Sequence, residues 1–177
     1  MTKVLIVYYS QTGEQYTVGN ITKGNTEIVA EIIAEKTGGD LFQVKVKNDN
    51  YPKGYMELTE YAKEEKNKNV RPDIIGDVEN FDDYDIIFIG SPVWWSDMPM
   101  PLYTFLEKHD FSNKKVAPFI THEGSGSSLI PNNIRKALKP LEMLEDVNIY
   151  GHVAQNKREQ AEKEVEDWLK RIKFFIE

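Results

Sequence analysis

The chain contains no cysteine, which removes disulfides, thiolate metal ligands and nucleophilic thiols from consideration. Basic residues are in deficit: 22 Lys and Arg stand against 29 Asp and Glu, for a formal charge of -7. A nucleic-acid surface needs a clustered basic face to displace counterions, so the charge balance argues against that class. No apolar run is long enough to span a bilayer, and the N-terminal run meets a polar turn too soon to be a signal sequence. The expectation is a cytoplasmic protein with no membrane partner. The three histidines lack metal-ligand spacing. No Gly-x-Gly-x-x-Gly fingerprint follows the first apolar run, and Gly24-Asn25-Thr26 lacks the lysine of a P-loop. A phospho-receiver domain would carry acids where Ser10 and Ser91 stand. Ser125 is not in a Gly-x-Ser-x-Gly elbow, which leaves a hydrolase built on it and His122 without support.

What remains is an ordinary globular composition, 40% hydrophobic and 29% charged, over 177 residues. That length predicts one domain with a substantial core. Residues 4–9 are an unbroken apolar and aromatic run, the mark of a strand covered on both faces. Residues 84–90, 115–120 and 147–150 read as further strands, and residues 41–46 as a shorter one. Between them lie helical patterns after Gly24, over 57–68, 101–108 and 132–138, and from about Asn156 onward. Strands alternating with helices predict a parallel sheet covered on both sides, with every strand-to-helix loop at its C-terminal edge. The acids between Asp77 and Asp85 precede a strand, so they fall at the opposite edge and read as a solvated surface.

Three of the C-terminal-edge loops carry unusual chemistry. The first holds Ser10, Gln11 and Thr12, then Gly24, Asn25 and Thr26 at a helix start, where hydroxyls, backbone N–H groups and the helix dipole favour an anion. The second holds Pro92, Val93, Trp94 and Trp95, with more aromatic bulk than a turn requires. The third holds Thr121, His122, Glu123, Gly124, Ser125 and Gly126, where glycine lets backbone approach a ligand. Each has a simpler explanation: Asn25 and Thr26 as helix caps, one of the two indoles as core, the glycine-serine loop as a plain turn. Their joint placement at successive strand ends points instead to a phosphorylated, flat aromatic ligand.

The pieces VLIVYYS, Ser10-Gln11-Thr12 with Gly24-Asn25-Thr26, IIFIGSPVWW and APFITHEGSG together resemble the flavodoxin family over nearly the whole chain. The resemblance implies an α/β, doubly wound five-stranded parallel sheet of order 2-1-3-4-5 in a three-layer sandwich. It implies FMN as cofactor, with the phosphate on Ser10, Gln11, Thr12, Asn25 and Thr26. The isoalloxazine would lie between the segments from Pro92 to Trp95 and from Thr121 to Gly126. No catalytic residue and no metal are implied. The expected role is low-potential electron transfer between redox partner proteins, whose docking surfaces would be basic. The alternative is an FMN-dependent NAD(P)H or quinone reductase on the same scaffold, and a cofactor-free interaction domain is a more remote one.

Two departures from the family pattern bear on mechanism. The phosphate loop is usually uninterrupted, whereas here residues 13–23 intervene, as in a branch with an expanded loop. They would either shape or cover a pocket for a second flat substrate. Many flavodoxins also place a glycine beside the flavin N5, where a peptide reorients on protonation. Trp95-Ser96-Asp97 has none, and a side chain at positive φ is strained. This predicts weaker stabilisation of the neutral one-electron-reduced flavin. Asp97 and Glu123 are expected to oppose the negative charge of reduction. Of the two indoles, Trp95 is expected on the ring and Trp94 in the core.

Overall fold

An apolar run is stable as a strand only where both faces are covered, and the computed structural model, which describes residues 1–174, covers both. Strand β1 (Val4–Tyr8) is buried throughout. A small hairpin follows, β2 (Gly13–Gln15) and β3 (Gly19–Ile21), then helix α1 (Asn25–Thr37), β4 (Asp40–Gln43) and helix α2 (Tyr55–Asn67). Next come β5 (Ile86–Pro92), α3 (Met100–Leu106), β6 (Lys115–His122) and α4 (Ile130–Leu138). Two short strands, β7 (Glu142–Met143) and β8 (Val147–Tyr150), lead into α5 (Gly151–Asn156) and α6 (Arg158–Arg171).

The sheet runs β4-β1-β5-β6, with β7 and β8 both on the outer side of β6 and every pairing parallel. In chain order this is 2-1-3-4-5, as expected, with the fifth place shared. Strand β7 lies beside Lys115 and Val116 at the start of β6, and β8 beside Phe119 to His122 at its end. Between them the chain gives the Glu145 carbonyl to the indole N–H of Trp168, 2.7 Å away, and that indole is fully buried. Satisfying a buried N–H is what interrupts the strand.

The period of two along β1 divides one run between two cores. Leu5, Val7 and Tyr9 pack with α3, α4 and the Leu58 side of α2; Val4, Ile6 and Tyr8 pack with α1, α5 and α6. The C-terminal helix expected from about Asn156 is α6, and a separate short helix, α5, precedes it across a break at Lys157 (φ -135, ψ 62). Helix α5 went unforeseen because it is six residues long and opens on a glycine. At the N-terminal edge, as expected, lie the acids around Asp77 to Asp85. There Lys114, 1% exposed, donates to the carbonyls of Asp82 and Tyr84.

Candidate functional site

All three chemistry-bearing loops leave the C-terminal ends of adjacent strands, β1, β5 and β6. In the first, α1 starts at Asn25 after Gly24, and no side chain of its own caps it. Neither Asn25 nor Thr26 is therefore the cap; the cap residue Gly24 has no side chain, and Ser10 reaches in from the first loop to take one first-turn N–H. The packing there demands glycine: a Cβ on Gly24 would lie 2.0 Å from the Ser10 hydroxyl and 2.8 Å from the Gln11 carbonyl. Ser10 Oγ accepts from the Glu27 N–H at 3.0 Å, an acceptor role that leaves its own hydrogen to donate. The Tyr9 hydroxyl donates to Gln11 Oε1 at 2.8 Å and sets that side chain; the Thr12 side is exposed.

Thr26 and Asn25 do something the sequence did not show. The Thr26 hydroxyl is buried and shares a 2.7 Å hydrogen bond with the Thr121 hydroxyl, tying the first loop to the third. Asn25 Oδ1 accepts from Gln155 on α5 at 2.8 Å. A Cβ on Gly151, the first residue of α5, would lie 2.4 Å from the Asn25 amide.

The second loop closes on itself: the Trp94 N–H donates to the Asp97 carbonyl (2.8 Å) and the Asp97 N–H to the Trp94 carbonyl (3.2 Å). Trp95 and Ser96 sit at φ 54 and φ 68, the signs of a I′ turn built without glycine. Each left-handed residue costs about 1–2 kcal/mol, and the surroundings offset it. Lys66 Nζ donates to the Trp95 carbonyl, the Leu129 N–H donates to the Ser96 carbonyl (3.1 Å), and the Trp95 indole N–H donates to the Thr59 carbonyl (2.7 Å). Trp94 is half-buried, edge-on to Tyr9 and Tyr51 and packed against the core. Trp95 is 43% exposed.

In the third loop, Gly124 and Gly126 adopt φ 121 and φ 64, and both N–H groups donate to His122 Nδ1, at 2.9 and 3.1 Å. An imidazole accepting at Nδ1 is neutral, and burial holds the His122 pKa below its ordinary value. Glu123 turns toward α5: its Oε1 accepts from the His152 N–H at 2.6 Å, and its Oε2 lies 2.9 Å from His152 Nδ1. Asp97 is buried and accepts from the Met98 N–H and the Tyr103 hydroxyl. Both carboxylates expected to oppose reduction thus hold donors of their own.

The loops enclose a cavity of about 550 Å³. Of the expected residues, Asn25, Pro92, Val93, Trp94, Trp95, Thr121, His122, Glu123 and Ser125 line it. Ser10, Gln11, Thr12, Gly24 and Thr26 do not line it; they form the adjoining loop at the head of α1. Gly124 and Gly126 shape the third loop from outside the lining. A second wall was foreseen only in part: its hairpin part was among the alternatives expected of residues 13–23, and its α2 part was not foreseen. Glu14, Gln15 and Tyr16 of the hairpin segment and Tyr55, Met56, Leu58, Thr59, Glu60 and Ala62 of α2 complete the cavity. The hairpin is fixed to α2, since Glu14 Oε1 accepts from the Tyr55 N–H at 3.0 Å and the Tyr16 and Tyr55 rings lie 5.7 Å apart. The intervening residues 13–23 therefore shape a pocket. Their one sequence signal is Tyr16, an aromatic in an otherwise polar stretch.

The model of the flavodoxin family matches residues 3–172. The chain belongs to the flavodoxin family. Among solved structures, a flavoprotein from Bacteroides eggerthii is 27% identical, with a TM-score of 0.76, over 97% of this chain and 98% of that one. A flavoprotein from Lactobacillus acidophilus, solved in complex with FMN, is 24% identical with a TM-score of 0.68, over 95% and 99% of the two chains. An azoreductase from Bacillus anthracis shares the fold at 13% identity and a TM-score of 0.54, over 99% and 100%. No curated protein matches. No helix among the described residues is long and apolar enough to cross a membrane. No group of side chains among the described residues is arranged to hold a metal ion.

Proposed function

We propose that this flavodoxin binds FMN at the C-terminal edge of β1, β5 and β6 and carries electrons between redox partner proteins. The observation that carries the reading is a juxtaposition: a helix start at Gly24 beside a hydroxyl loop, adjoining a cavity lined by two indoles and a glycine-bearing loop. The donor set fits the group. The Ser10 and Thr12 hydroxyls and the first-turn N–H groups of α1 would hold a phosphate, with Gly24 permitting the close approach. Tyr9 orients Gln11 for the same task. Pro92, Val93, Trp94 and Trp95 on one side, with Thr121, His122, Glu123, Gly124, Ser125 and Gly126 on the other, would bound the ring. The family assignment and the FMN complex of the Lactobacillus acidophilus flavoprotein support the choice of cofactor.

FMN supplies the redox chemistry. The chain's part is to bind, exclude water and set the field. Lys66 and Leu129 hold the carbonyls of Trp95 and Ser96 in place, so that turn presents indole rather than a movable acceptor. The net charge of -7 favours partners with basic docking faces. A reductase is the second reading, and the wall built by the hairpin segment and α2 is what favours it.

Titrating the refolded, ligand-free chain with FMN tests the reading. Binding at micromolar concentration or tighter, with quenched flavin fluorescence, is the expected result; indifference to FMN removes the proposed role. Steady NAD(P)H consumption with a quinone would move the assignment from carrier to reductase.

A further inference from the structure

The cavity is lined on a further side by residues that lie outside the β5 and β6 loops. Its outer side is a separate surface made by Tyr16, Tyr55 and Met56, with the carboxylates of Glu14 and Glu60. Tyr16 and Met56 are 57% and 66% exposed, so the wall is open to solvent. The rings of Tyr16 and Tyr55 lie 5.7 Å apart at 30° to each other, and with the Met56 thioether they line this wall. Such surfaces hold planar aromatic molecules through ring and sulfur contacts.

The charge of this wall selects among them. No lysine or arginine lines the cavity, whereas Glu14, Glu60 and Glu123 do. Of the cations around it, Lys66 is engaged on the Trp95 carbonyl, Lys63 lies 5.1 Å from the Trp95 ring centroid, and Lys53 packs beside Gly13 outside the lining. A bound FMN phosphate would add further negative charge nearby. Aromatic faces flanked by carboxylates attract a cation twice over, through the ring quadrupole and through Coulomb attraction. A pyridine dinucleotide brings two or more phosphate charges into the same field and is disfavoured.

Resting on the FMN reading, we propose that the surface formed by Tyr16, Tyr55, Met56 and Glu60 is a second ligand subsite, which takes a planar aromatic cation beside the flavin. The residues 13–23 are then the element that turns a cofactor cleft into a two-ligand cavity.

The experiment is equilibrium dialysis of the FMN-loaded protein against three probes of similar shape: methylene blue (cationic), menadione (neutral) and anthraquinone-2-sulfonate (anionic). FMN retention is measured in the same cells. The expected order is cation, neutral, anion, with cation and anion separated by roughly tenfold or more. Glu60→Gln is expected to weaken methylene blue by roughly threefold or more, and Tyr16→Ala to weaken all three probes. Neither change should release FMN. Glu159→Gln, which removes the same charge from α6, should leave dye binding unchanged. An equal loss in Glu159→Gln would reduce the effect to the protein's overall acidity and overturn the subsite. So would anion binding as tight as the cation, or dye binding indifferent to Tyr16→Ala. FMN held while no probe binds overturns the subsite alone; failure to load FMN at all overturns the proposed function beneath it.

Discussion

The loops after β1 and β5 leave neighbouring parallel strands at the same edge, yet they are built on opposite plans. The loop after β1 is long, detours through a hairpin and returns to a helix that starts after Gly24, where only Ser10 takes a first-turn N–H. The loop after β5 is short and self-contained. Its backbone is closed by two mutual hydrogen bonds, its two left-handed carbonyls are taken by Lys66 and Leu129, and it presents indole outward. One keeps hydrogen-bonding capacity in reserve; the other has spent it and offers shape. A ligand with a charged tail and a flat head needs one loop of each kind, because unspent donors suit an anion and a rigid apolar edge suits a ring.

The contrast breaks most severely at Gly24. Gly24→Ala forces a methyl group against Ser10 and Gln11, and FMN affinity should fall roughly 100-fold, about 2.7 kcal/mol. Fluorescence titration checks this; an affinity within a factor of three of the wild type would mean the donors lie elsewhere. The β5 loop is sharpened by its two indoles. Trp95→Ala should weaken FMN roughly tenfold, about 1.4 kcal/mol. Trp94→Ala, which removes a ring packed on Tyr9 and Tyr51, should mainly lower unfolding free energy, by about 2 kcal/mol. Reversed effects in the paired titrations and urea curves would exchange the two roles.

Backbone strain gives a smaller effect of opposite sign. Ser96→Gly relieves a side chain at φ 68 and should raise stability by about 1 kcal/mol, seen as a shifted urea midpoint. With the Trp95 and Ser96 carbonyls still held, stepwise reduction of the wild type should accumulate little one-electron-reduced flavin. Near-complete accumulation would show that the turn rearranges after all. The smallest effect belongs to His122. Its pKa is lower folded than unfolded because of burial, so the unfolded chain binds the extra proton first. The stability this group contributes is whole above its ordinary value near 6.5 and is lost as pH falls toward the depressed one. Protonation at Nδ1 also expels the Gly124 and Gly126 N–H groups. Urea denaturation across that window should show the slope, and His122→Asn should flatten it.

Much of this was legible because it depends on local pattern. The run from Val4 to Tyr9 announces a two-sided strand, the order of strands and helices announces the sheet, and glycines mark the loops. What escaped depends on distance in sequence. The hairpin strands are three residues each and mostly polar, too short for any period to show. The second wall required Tyr16 to meet Tyr55, and Trp95 to meet Thr59, across gaps no spacing rule spans. The split fifth strand answers to Trp168, a partner about two dozen residues onward, whose indole needed an acceptor. Glu123 lines the cavity as its loop suggested, but that its carboxylate also takes the His152 N–H at the start of α5 is another contact no spacing rule reaches.

The hydroxyl bond between Thr26 and Thr121 has a corollary for binding. It joins segments 95 residues apart and fixes the spacing between the place for an anion and the place for a ring before anything arrives. On the proposed function an arriving FMN would meet two loops already joined, which leaves less ordering to be done on binding.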